Sequence, residues 1–229
     1  MSTDPDVTKS LAKGGLTPND IDYVIYSHVH WDHVGEPRDF PTSKFVVGHG
    51  AINLLKGTAP SLRGGHSFFE SDLLPEGRTF ELSEPLTYGL KKRDSCVTPG
   101  EINLDGSWHA HGCLPEVLDL FNDGSLLIVN APGHLPGHIN LLARTSPTHQ
   151  VYMAGDACHD RRLMTGEKKI GEWSDAHGQI CCIHANRKQA EETIERIRIL
   201  EKEGTEIIFA HDREWEKDPA NENRFFGKP

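Results

Sequence analysis

The chain has 229 residues, 36% of them hydrophobic and 25% charged, which suits one large domain whose core needs no disulfide staples. A formal net charge of −10, from 34 acidic against 24 basic side chains, argues against a nucleic-acid groove or an anionic lipid surface and favours a small neutral or cationic partner. No apolar run approaches the roughly 18 residues of a membrane span, the first ten residues lack the pattern of a signal peptide, and five cysteines, with Cys181 and Cys182 adjacent, make no spaced disulfide framework. The expected setting is therefore a reducing, cytoplasmic one. Fourteen histidines stand out against this background and invite a metal hypothesis.

In chain order, Val7, Leu11 and Ala12 at helical spacing before Gly14-Gly15 predict a short helix over 7–15. Thr17-Pro18-Asn19-Asp20 has an N-cap residue, a proline and a first-turn acid, so a brief helical turn follows. The β-branched and aromatic run 22–27 predicts a buried strand that feeds directly into a histidine cluster. Further strands are expected over 44–48, 126–130, 139–143, 150–154 and 206–210, with a turn at Asn122-Asp123-Gly124. Ala190, Ile194, Ile197 and Leu200 form one stripe in a helix over 187–203, which Gly204 ends. Strands alternating with helices predict α/β layers. The stretches 57–81 and 88–115 are weakly patterned and read as functional loops. The tail 212–229 is polar except for Phe225-Phe226, which could dock it on the body; disorder is the alternative.

Ser27-His28-Val29-His30-Trp31-Asp32-His33 carries four metal-ligating side chains in seven residues. On an extended backbone His28 and His30 share a face while Val29 and Trp31 point away, and a turn would bring Asp32 and His33 alongside. Imidazoles and carboxylates this close are costly to bury without a partner, and zinc is a natural one. Three further stations follow apolar strands: His134 after 126–130, Asp156 after 150–154 and His211 after 206–210. Ligands at the ends of several strands converge on one sheet edge, where open α/β layers place their sites.

The motifs HVHWDH (28–33), APGHLPGH (131–138), GDA (155–157) and AHD (210–212), in that order, resemble the metallo-β-lactamase superfamily of hydrolases over residues 20–212. The resemblance implies a four-layered αββα sandwich over 1–229, with His28, His30 and His134 on a first metal, Asp32, His33 and His211 on a second, and Asp156 bridging two zinc ions. The stretches DIDYVIYSHVHWDHVGE and PGHLPGHINLLAR are most similar to N-acyl homoserine lactonases. His138 then becomes a hydrogen-bonding neighbour rather than a ligand, and Asp22 and Asp212 orient neighbours or solvate strand ends. A histidine at position 30 favours hydrolysis over diiron redox chemistry, whose superfamily members usually have glutamate there.

This ligand set leaves the site cationic, so a bridging hydroxide is available at neutral pH to attack a lactone or lactam carbonyl. Asp32 has a second expected role, steering a proton to the leaving group. Lactonases of this type have a tyrosine three residues after the bridging aspartate; here His159 stands there, either donating or relaying a proton, or lying idle in a surface loop. Thioester hydrolysis of the glyoxalase II type is the alternative reaction, and a metal-binding regulator or scaffold the alternative without catalysis. Trp31, Phe68, Phe69, Trp108, His109 and His111 are candidates for lining the pocket, with core packing the competing role for the aromatics and a solvated loop for His109 and His111. Only 27 residues precede His28, they read as helical, and no Asp-Thr-Gly turn occurs. The sandwich is thus expected to lack leading strands and to form a homo-oligomer.

Overall fold

The structure is a computed structural model and describes residues 4–59, 62, 68–85 and 102–226. Its elements run α1 (Val7–Lys13), β1 (Tyr23–Ile25), β2 (Lys44–Val47), α2 (Ala51–Leu55), β3 (Thr79–Glu81), β4 (His109–His111), β5 (Leu114–Asp119), β6 (Leu126–Asn130), β7 (Ile139–Ser146) and β8 (His149–Met153). They continue with α3 (Arg161–Thr165), β9 (Glu172–Ser174), β10 (Ile180–Cys182), α4 (Arg187–Lys202), β11 (Glu206–Ile208) and α5 (Arg213–Lys217). The turn expected before β1 is the 3-10 helix Pro18–Asp20, where the backbone N–H and hydroxyl of Thr17 both donate to Asp20 Oδ2.

Two-residue alternation sorts the strand side chains into three apolar layers. In β2, Phe45 and Val47 face α1 and α2 while Val46 faces the opposite way. In β6, Leu127 and Val129 pack with Ile194 and Ile197 of α4 while Ile128 turns towards Val46 and Leu118. One cluster thus lies between the two sheets, and each sheet carries helices on its outer face. That is the expected αββα layering.

The smaller sheet has the order β1-β2-β3, all parallel, and its central strand β2 buries Phe45, Val46 and Val47 on both faces, while β1 and β3 are partly exposed. The larger has the order β11-β8-β7-β6-β5-β4. Because β7 is antiparallel to both β6 and β8, and β11 is parallel to β8, the strands β6, β8 and β11 run the same way. Their C-terminal loops therefore emerge at one edge. β1 delivers its end to the same place, since the Ile139 N–H donates to Ser27 O at 2.8 Å.

The structure corrects some expectations and decides between the alternatives in others. From 109 to 153 five strands follow one another with no helix between, so the larger sheet is mostly antiparallel and the strand-helix alternation holds only at the two ends of the chain. Inside the stretches read as loops lie β3, β4 and the start of β5; residues 60, 61, 63–67 and 88–101 of those stretches lie outside the described residues. The tail folds: α5 and the 3-10 helix Pro219–Arg224 end with the Phe225 ring 6.0 Å from that of Trp215 and the Phe226 ring against Gly14. Trp108 packs with the layer between the sheets and donates its indole N–H to Ser83 O, which removes it from the pocket candidates. No helix among the described residues is long and apolar enough to cross a membrane.

Candidate metal centre

The first ligand-bearing segment is held from both sides. Tyr26 donates its N–H to Val46 O and its hydroxyl to Val34 O, each at 3.0 Å. Val29 and Val34 enter the core against α1 and α2, which turns His28 and His30 the other way, and Trp31 stands out with 61% of its surface exposed. A turn closed by the His33 N–H on His30 O brings Asp32 and His33 round to the same side.

The second segment, 131–138, is anchored on α4. Gly133 and His134 accept backbone hydrogen bonds from Asn186 (2.8 Å) and Ala185 (2.9 Å), immediately before the helix that Asn186 caps. The third, after β8, turns at Gly155, whose φ of +48° and close approach to Ser27 Cβ leave no room for a side chain. The fourth, after β11, ends at His211, with the Ala210 N–H on Gly155 O.

These segments bring all seven expected ligands together. His28 Nε2 and His134 Nε2 each lie 3.0 Å from His30 Nδ1, and Asp156 Oδ2 is 3.8 Å from His28 Nε2 and 3.5 Å from His134 Nε2. Next to them, Asp32 Oδ2 is 3.7 Å from His33 Nε2 and 3.8 Å from His211 Nε2. Asp156 joins the two sets, with Oδ2 3.2 Å from His33 Nε2 and Oδ1 3.4 Å from His211 Nε2. His28, His134 and Asp156 are buried; Asp32 and His211 face outward.

The electrostatics fit a cation at each set. Burial, reinforced by the neighbouring imidazoles, pushes His28 and His134 far below the usual histidine range, so both present neutral rings. Burial would also lower His33 and raise Asp156, yet their mutual attraction, with His159 beside Asp156, wins: His33 is raised and Asp156 held well below the usual carboxylate range. The neutral rings of His28 and His134 both aim Nε2 at His30 Nδ1, and His33 Nε2 and Asp156 Oδ1 are buried without a hydrogen bond, a set of donors that a cation would satisfy. Imidazole and carboxylate donors in this number suit zinc.

His138 points the other way. Its Nδ1–H donates to Ala131 O at 3.1 Å and its Nε2 accepts the Asp156 N–H at 3.2 Å, so both ring nitrogens are engaged. Complete burial lowers it to about 4, which keeps the ring neutral and the Asp156 backbone fixed. Asp212 caps α5 and pairs with Arg161 at 2.7 Å. His159 sits at the site: its Nε2 is 3.0 Å from Asp156 Oδ2 and its ring stacks on that of His211 at 5.5 Å. It also lines a cleft of about 450 Å³ with His211 and Arg162. A second cleft, of about 610 Å³, runs past Val29, Trp31, Phe68, Phe69 and Leu73, and the Phe69 ring lies nearly parallel to His30 at 6.1 Å. His109 and His111 are exposed on β4, the outermost strand, and join no metal-holding group among the described residues.

Sequence reasoning missed His184. It is fully buried, with its ring 5.2 Å from His134 and 5.5 Å from His159. The one sequence signal was its place two residues before the N-cap of the clearest helix.

Two face-to-face sheets with helices outside and a histidine-aspartate cluster at the loop edge define an αββα metal-site fold. The chain belongs to the metallo-beta-lactamase superfamily, whose family model matches residues 1–209. Among curated relatives, it is 36% identical over 162 residues to the Cytochrome P450 monooxygenase mpaDE of Penicillium roqueforti, a match covering 68% of this chain and 16% of that protein. It is 31% identical over 158 residues to the Gamma-lactamase MBL2 of Gibberella moniliformis, covering 67% of this chain and 56% of the relative. A solved N-acyl homoserine lactone hydrolase, with N-hexanoyl-L-homoserine bound at its catalytic metal center, superposes with a TM-score of 0.61 at 19% identity over 95% of this chain and 66% of that one. The matched segment thus spans well under two thirds of the curated relatives' length.

Proposed function

We propose that this chain is a dinuclear zinc-dependent hydrolase that opens a small cyclic ester or amide, a lactone or a lactam. The observation that carries this reading is the pair of donor sets joined at Asp156. His28, His30 and His134 would hold one ion, Asp32, His33 and His211 the other, with Asp156 shared. Two zinc ions, when bound, supply Lewis acidity and a water acidic enough to ionise near neutral pH. His159, with its Nε2 against Asp156, relays the proton given up by the attacking water to the departing oxygen or nitrogen. Asp32, on the open side of the cluster, steers that transfer. Trp31, Phe68 and Phe69 receive the apolar part of the substrate in the cleft beside His30. The gamma-lactamase relative and the lactone hydrolase fold support the same class of ring.

The test is metal analysis followed by a panel of lactones, lactams and thioesters with the zinc-loaded protein. Close to two zinc per chain and ring opening are expected; turnover of thioesters alone would overturn the ring-opening reading, and full activity in metal-free protein would overturn the metal one. We also propose that the chain forms a homo-oligomer, with two chains pairing along an edge of the smaller sheet, whose outer strands β1 and β3 are each hydrogen-bonded to β2 alone among the described residues. Sedimentation equilibrium should then give twice the chain mass, and a monomer at all concentrations would exclude this.

A further inference from the structure

His134 must present Nε2 as a lone pair if it is to bind a cation with His28 and His30. An imidazole can do that only when its proton sits on Nδ1, and a buried Nδ1–H needs an acceptor. In His138 the corresponding need is met by the carbonyl of Ala131. For His28 the group beside Nδ1 is Ser27 Oγ at 3.1 Å. Beside His134 Nδ1 is His184 Nδ1, at 3.3 Å.

Three features fix His184 there. The hairpin of β9 and β10 leads into it, and its N–H donates to Cys182 Sγ at 3.5 Å. The next two residues, Ala185 and Asn186, are tied by backbone hydrogen bonds to His134 O and Gly133 O. Asn186 then caps α4, a sixteen-residue helix whose apolar side is in the core. The backbone of His184 therefore cannot drift relative to His134 without breaking the joint between the 131–138 loop and α4, and burial confines the ring it carries.

We propose that His184 is a positioning residue: its Nδ1 accepts the Nδ1 proton of His134, locking the tautomer and ring plane in which His134 Nε2 faces the metal cluster. This rests on the zinc reading above. With Nδ1 as acceptor, the neutral ring of His184 carries its own proton on Nε2. The pair is one donor and one acceptor, so no net charge is added to the buried side of the site. An outer partner of this kind raises ligand basicity and holds the ring, and losing one typically costs about 10–100-fold in metal affinity or activity.

The experiment compares full-length wild type with His184→Leu, which removes the acceptor, and His184→Asn, whose side-chain carbonyl can reach the place of Nδ1. Zinc affinity is measured by competition with a chromophoric chelator, and kcat and KM separately. His184→Leu is expected to weaken one of the two zinc equivalents by about 10–100-fold and to lower kcat with little change in KM, while His184→Asn recovers most of both. Equal impairment in the two variants, or unchanged zinc affinity in both, overturns the proposal. If His184→Leu does not fold, ¹⁵N-imidazole spectra of the zinc-loaded wild type decide the matter. Protonation at His134 Nδ1 and His184 Nε2 is expected, whereas a proton on His184 Nδ1 overturns the assignment. Wild type that binds no zinc overturns the metal reading itself, which separates that failure from a failure of His184 alone.

Discussion

Asp156→Asn is expected to reduce turnover by more than about 100-fold, beyond what the loss of an outer partner costs, and to lower bound zinc below two per chain. The carboxylate is the joint of the site. Its Oδ2 lies within 4 Å of His28, His33, His134 and His159, and its Oδ1 is 3.4 Å from His211. Asparagine keeps the size and the backbone N–H that His138 Nε2 accepts. It loses the charge, and its amide NH₂ offers hydrogens where lone pairs are needed. The change thus tests electrostatics at constant shape. Metal content by atomic emission, with kcat/KM on the best ring substrate, is the measurement. An Asp156→Asn protein with two zinc and wild-type turnover is incompatible with the shared-carboxylate reading. The folded state should survive, because the hydrogen bonds that hold the 155–157 turn, including the Asp156 N–H on His138 Nε2, use the backbone groups of the turn and not the Asp156 carboxylate.

How far the sequence foretold this site depends on how local each signal was. β1, β6, β8 and β11 were legible because each is an apolar run ending at a polar ligand, and the period-two pattern needs no partner to be seen. β5 was not: Pro115 and Glu116 interrupt its apolar residues, and only pairing with β6 and burial of Leu114, Val117 and Leu118 make it a strand. β4 is polar and exposed and, among the described residues, lies at the edge of its sheet, so it had no pattern to detect. β9 and β10 are three residues each, joined through a turn in which Asp175 accepts the N–H groups of His177 and Gln179. The same logic covers the site. His28, His30, Asp32 and His33 announce themselves by proximity in sequence. His134, Asp156 and His211 do so by following strands. His184 does neither, since its partner is fifty residues away and the contact exists only once the 131–138 loop rests on α4. Trp108 stayed open between its two roles because a tryptophan in an unpatterned stretch serves a pocket and an inter-sheet core equally well until the sheets are in place.

The joint between that loop and α4 also sets the second large effect. Gly133→Ala is expected to destabilise the protein by several kcal/mol and to disturb zinc at His134 without touching any ligand atom. Gly133 adopts φ +129°, which side chains on L residues rarely reach, and a Cβ built there would meet the backbone nitrogen of Ala190 and lie 2.5 Å from its Cα. Those atoms belong to the helix backbone and cannot swing aside. Strain of this type costs about 1–3 kcal/mol, and forcing extra volume into a packed contact about 1–3 more, against a typical total stability of about 5–15 kcal/mol. The chain can relieve the clash only by lifting the loop from α4. That would lengthen the bonds from Asn186 N–H to Gly133 O and from Ala185 N–H to His134 O, and carry the His134 imidazole away from His30. Urea unfolding of the metal-free protein should therefore show a lower midpoint with an unchanged slope, and zinc titration of the same variant a weakened equivalent. Gly35→Ala is the control, because its φ is +56° with nothing within 4 Å of the added methyl. It incurs only the milder strain of the left-handed region and no collision, so the excess loss in Gly133→Ala measures the stricter backbone at 133 together with the packing of the loop on α4. A Gly133→Ala protein as stable as Gly35→Ala would mean that the loop has room to move, and that His134 is not held in place by the helix beneath it.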